Sequence, residues 1–223
     1  MTTVNEAFEF KQCVSLLKAT GRKAGDLREL REILSSVSDE SLFHHTYQYF
    51  LKGHILEYTN DFAQWAGENL EERALSEELS NIDPYDYSEM TALRERLISV
   101  IEAYIGRFPE PRAVMEGAEF YFTETVTLVF PAGIRAKNLA ELLMGVKYVD
   151  SSAIYYHFYE ARRRLGPRRD DFSHWIEVAL GKEALAEAIR GIDPFMHTLA
   201  GIRNRITEAM EEELRKDMEE VLP

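Results

Sequence analysis

The sequence carries one cysteine, Cys13, in 223 residues. A single thiol cannot close an intrachain disulfide, so no disulfide framework supports the fold, and a lone thiol fits a reducing compartment. Positive charge is also in short supply, with 26 Lys and Arg against 39 Asp and Glu, a net of −13. An acidic surface repels a phosphate backbone and an anionic bilayer, which argues against general nucleic-acid or membrane binding. No apolar run approaches the roughly 18 residues that a membrane span requires. The opening residues Met1–Glu6 lack the basic start and apolar stretch of a signal peptide. The expected location is the cytoplasm. Fingerprints of catalysis are missing too: there is no Gly-x-Ser-x-Gly, no P-loop, no dinucleotide motif, no Cys-x-x-Cys and no His-Glu-x-x-His.

What the chain does contain is self-similarity. Asp61-Phe62-Ala63-Gln64-Trp65 matches Asp171-Phe172-Ser173-His174-Trp175, and Ile82-Asp83-Pro84-Tyr85 matches Ile192-Asp193-Pro194-Phe195, both at an offset of 110. Upstream the offset is 112: Phe8-x-Phe10 falls on Phe120-x-Phe122, Gly21 on Gly133, and His45-x-Tyr47 on His157-x-Tyr159. Arg94-x-Arg96 falls on Arg203-x-Arg205. A colinear match of this kind reads as an internal duplication. It divides the chain into a first module at 1–106, a linker at 107–117 marked by Pro109 and Pro111, and a second module at 118–223 with an acidic C-terminal helix.

Apolar spacing predicts an all-α fold, two helical bundles of about five to six helices each. Asp26 and Asn138 are placed to cap one helix type, Asp39 and Ser151-Ser152 the next, and Asp61 and Asp171 the Phe-x-x-Trp helix. Asp83-Pro84 and Asp193-Pro194 repeat the pattern with Pro at the first helical position. Two segments are ambiguous between helix and strand. Residues 120–129 alternate and are β-branched, whereas Phe10, Val14 and Leu17 of 8–17 sit at helical spacing. Helix is the reading adopted for both.

The pattern Gly21-x-x-Ala24-x-x-Leu27-x-x-Leu30, Leu42-Phe43-His44-His45, Asn60-Asp61-Phe62-Ala63-x-Trp65 and Ile82-Asp83-Pro84 resembles an uncharacterised prokaryotic domain family. Ile154-Tyr155-Tyr156-His157, Asp171-Phe172-x-x-Trp175-Ile176 and Leu180–Ala186 repeat it. The resemblance implies a helical fold, present here in tandem, and brings no catalytic residues with it. The later half lacks the Asn before its Asp171 and has Tyr156 where the earlier half has His44.

The candidate ligand-binding residues are the polar and aromatic ones present in both halves: His45, His157, Asp61, Asp171, Trp65 and Trp175. A His beside a carboxylate can do acid–base work, and the same pair can equally hold a buried helix face together. His44, His45 and His54 lie in one region, but the spacing matches no metal motif, so neither a metal nor a cofactor is expected. Arg162, Arg163, Arg164, Arg168 and Arg169 form a cluster that would suit a phosphate or simply offset a helix dipole. Two functions remain. One is an interaction, scaffold or regulatory protein that takes a protein partner or a second copy, with the stripe Ile206, Met210, Leu214, Met218 packing on its own module or on another chain. The other is a small-molecule binder, for a sugar or phosphorylated compound, or an enzyme, with its site between the modules.

Overall fold

The computed structural model describes residues 6–48, 58–165, 169–194 and 196–221. Its most conspicuous elements are two 17-residue strands, β1 (Phe8–Ala24) and β2 (Phe120–Ala136), which pair into a two-stranded sheet. The pairing is antiparallel, since partner positions fall as positions on β1 rise: Lys18 bonds Glu124 at 2.8 Å, Thr20 Oγ1 donates to Phe122 O at 2.7 Å, and Lys23 bonds Glu119, just before β2, at 2.7 Å.

The expectation of an all-α fold is therefore corrected, and with it the description as a pair of helical bundles. Both segments read as helix, 8–17 and 120–129, are strand. The physical reason is in the burial. Phe8 and Phe10 on β1, and Phe120 and Phe122 on β2, point inward with exposed residues between them, the period of two that only a strand provides. The helical spacing of Phe10, Val14 and Leu17 is coincidental, because Val14 and Leu17 are exposed.

Helices fill the rest: α1 (Leu27–Leu34), α2 (Asp39–His45), α3 (Asp61–Glu68), α4 (Arg73–Ser80) and α5 (Met90–Arg107) before β2. After it come α6 (Leu139–Tyr148), α7 (Ser151–Ile154), α8 (Ala161–Leu165), α9 (Asp171–Leu180), α10 (Glu183–Arg190) and α11 (Leu199–Val221), with a π-helical turn at Tyr155–Glu160. Two compact units result, one of residues 15–127 and one of residues 1–14 with 128–223.

Within the first unit, Leu27, Leu30 and Leu34 of α1 are fully buried, as are Leu93, Leu97 and Ile101 of α5. Phe62 of α3 and Leu75 and Leu79 of α4 are buried as well. Within the second, Leu142 and Val146 of α6 are buried, and so are Ile202, Ile206 and Met210 of α11. Of the stripe expected to pack on its own module or on another chain, Ile206 and Met210 are thus taken up by their own unit. Of its members, Met218 stays exposed.

The caps follow a regular displacement from expectation. Asp26 and Asn138 do cap α1 and α6. Yet α2 is capped by Ser38, α7 by Asp150, α3 by Asn60 and α9 by Asp170, in each case the residue before the one predicted. A cap must have extended backbone outside the helix. Asp61 and Asp171 already lie in the first turn, so their carboxylates are available for other partners.

Both strands also bend at matched places. Gly21 and Gly133 each have φ 75°, a left-handed conformation inside a strand that marks a bulge and suits glycine. A second irregularity lies nearer each strand's start. Inward residues run Phe120, Phe122 and then Thr125, and Phe8, Phe10 and then Cys13. A step of three in a period-two pattern means one extra residue, which leaves a backbone N–H turned out of the ladder.

Candidate functional site

That displaced N–H leads to a buried polar group in each unit. In the first, Thr123 N–H donates to His45 Nε2 at 3.0 Å, and His45 Nδ1 lies 2.6 Å from Asp61 Oδ2. In the second, Lys11 N–H donates to His157 Nε2 at 2.8 Å, and His157 Nδ1 lies 2.7 Å from Asp171 Oδ2. A backbone N–H can only donate, so each Nε2 must carry a lone pair, and the ring proton sits on Nδ1, shared with the carboxylate. Both imidazoles are neutral, with both nitrogens engaged.

His45 ends α2 and His157 lies in the π-helical turn, and both are buried. Burial pushes His157 below its ordinary value of 6.5, outweighing the opposing pull of Asp171. Burial alone would raise Asp171, but the hydrogen bond from His157 and the Arg164 charge hold it below the usual carboxylate range. Arg164 Nη2 reaches Asp171 Oδ2 at 2.9 Å.

Around each imidazole the aromatics form a seat for a Phe-x-Phe strand. Phe120 lies 4.8 Å from the His45 ring, stacks on Phe62 at 5.0 Å and meets Trp65 edge-on at 5.8 Å. Phe8 lies 4.8 Å from the His157 ring, stacks on Phe172 at 5.4 Å and meets Trp175 edge-on at 5.9 Å. The indoles complete the grip: Trp65 Nε1 donates to Ala118 O and Trp175 Nε1 to Glu6 O, both at 2.8 Å. Six candidates predicted from sequence, His45, Asp61, Trp65 and their later partners His157, Asp171 and Trp175, thus come together as two threes. In each case they close on a strand of the chain itself.

Among the described residues of the arginine cluster, Arg162 and Arg164 turn to different partners. Arg162 is buried, directs Nη2 to Ile192 O at 3.2 Å and to Arg190 O at 3.4 Å, and its guanidinium lies 4.1 Å from the Phe158 ring centre. Arg164 is committed to Asp171 and to the face of Tyr156 at 4.6 Å. The Arg163 side chain and Arg168 lie outside the described residues, as does His54.

His44, His45 and Asp61 bring three ligand atoms within 4.8 Å of one another. Chemistry disfavours a cation there. A metal at His45 Nδ1 would displace the ring proton while Nε2 still accepts from Thr123, which demands an imidazolate. His44 instead joins a buried polar chain: its Nδ1 lies 2.8 Å from Thr125 Oγ1, which donates to Gln48 Oε1 at 2.6 Å. Cys13 is buried with its Sγ 3.6 Å from Ser152 O. Burial, with Glu160 and Asp150 nearby, pushes its thiol up to about 12, which disfavours the reactive thiolate.

Sequence reasoning missed the main-chain groups that complete each set, the N–H donors of Thr123 and Lys11 and the carbonyl acceptors of Ala118 and Glu6, because backbone partners carry no residue signature. The one available signal was the Phe-x-Phe spacing. Asn60 and Asp170 were also missed as caps. Asn60 Oδ1 takes the Ala63 N–H at 2.9 Å while its Nδ2 reaches Leu79 O at 2.9 Å, and Asp170 takes the Ser173 N–H at 2.8 Å.

Among the described residues no helix is long and apolar enough to cross a membrane. No curated protein matches the chain. A solved structure, that of OrfY from Thermoproteus tenax, is similar to it with a TM-score of 0.79 and 33% identity, over 93% of this chain and 95% of that one. A single family model extends over both halves, so the reading of the chain as two tandem copies of an all-helical family domain is not retained. That model, DUF5752, described as a family of unknown function, matches residues 5–211, and the chain belongs to this family.

Proposed function

We propose that the protein acts by binding a protein partner along its long strands. One observation carries this reading. Beyond the seated Phe-x-Phe segments, each strand exposes an apolar run: Val14, Leu16 and Leu17 on β1, and Val126, Leu128, Val129 and Phe130 on β2. Leu17 is 70% exposed. Among the described residues each strand has one sheet neighbour, so beyond the N–H groups of Lys11 and Thr123 that the histidines take, no strand lies along its other edge. An apolar, β-branched strand with an open edge suits addition of an extended segment from another protein. Clustered exposed apolar residues are uncommon unless something covers them.

For the alternative, a small-molecule site, the described residues offer an open groove of about 580 Å³ lined by Ile192, Asp193, Met196, His197, Arg205 and Glu208. Its charges are mixed in sign and converge on no one point. The His–Asp pairs favour the interaction reading too, since both ring nitrogens are already used in holding strands.

A photo-crosslinking side chain placed at Phe130 tests the proposal, with the same group at Val178, exposed on α9, as the comparison. The expected result is a discrete adduct from position 130 that Leu17→Lys and Leu128→Lys abolish. Identical adducts from both positions would remove the strands from consideration.

A further inference from the structure

We draw no further inference here: the strongest candidate, the open groove between α10 and α11 lined by Ile192, Met196, His197 and Arg205, carries nothing, because its charges are mixed in sign and nothing in the structure shows what covers it.

Discussion

His157 gives its one ring hydrogen to Asp171 at 2.7 Å and takes another from Lys11 N–H at 2.8 Å. A second ring proton would set N–H against N–H at Nε2. The pH dependence of folding follows. The groups facing the imidazole are Asp171, which favours its charged form, and Arg164 and Lys11, which oppose it together with burial. The folded value therefore lies below 6.5, and the unfolded chain takes up the proton first. Stability is then fully present above about pH 7 and falls as pH drops through 6.5 towards the folded value. Asp171, also held low, adds its own loss below about pH 4. Urea midpoints measured from pH 7.5 to 5.5 should decline, and His157→Gln should flatten the decline. An unchanged slope in that variant would assign it to other groups.

Replacing His45 by Phe keeps the volume and the aromatic packing on Phe120 and Phe62 but leaves Thr123 N–H without its acceptor. A buried donor stranded in this way costs about 1–3 kcal/mol. Asn60→Ala removes a cap and should cost about 1–2 kcal/mol. The distinguishing readout is hydrogen exchange at the Thr123 amide, which His45→Phe should accelerate selectively and Asn60→Ala should not. Equal acceleration in both would mean that the imidazole has no local role.

These bonds also show how far the sequence is readable. The caps Asp26 and Asn138 are legible because a polar residue before an amphipathic run has one local job. Asp61 is misread as a cap because two adjacent polar residues, Asn60 and Asp61, both qualify, and only backbone angles assign them. The strands are misread for a different reason. Residues 8–24 mix two seated Phe with a long exposed stretch, so neither period dominates, and pairing with a segment more than 100 residues away decides the outcome. The association of His45 with Asp61 and Trp65 is foreseeable from their recurrence at matched spacing. That the group closes on a strand is not, since the partner there is a main-chain N–H.

Close approach at Gly145 gives a sharper packing test. Gly145→Ala forces a Cβ to 2.3 Å from Phe10, and a core this tight relaxes only by shifting the strand. The expected loss is about 1–3 kcal/mol. Gly106, inside α5 with nothing within 4 Å of a built Cβ, is the control. Gly106→Ala should stabilise by about 0.4–1 kcal/mol, through a less flexible unfolded chain and better helix propensity. Thermal unfolding of both variants checks the pair, and a neutral Gly145→Ala would mean that Phe10 is not held against α6.

Cys13 reports on the same strand from its far side. Its thiol is pushed up to about 12 from an ordinary 9.0, so at pH 8 the reactive thiolate fraction falls about 1,000-fold. Burial shields the sulfur further. Iodoacetamide at pH 8 should therefore modify the folded chain at least about 1,000-fold more slowly than the chain in urea. Whatever native reaction remains comes from molecules in which the start of β1 has left its seat. Phe10→Ala, which weakens the seating without touching the thiol, should raise the native rate well beyond its effect on the global urea midpoint. Native and denatured rates within tenfold of each other would show that the start of β1 is open at least about a tenth of the time, contrary to the bonds that hold Lys11 and Cys13.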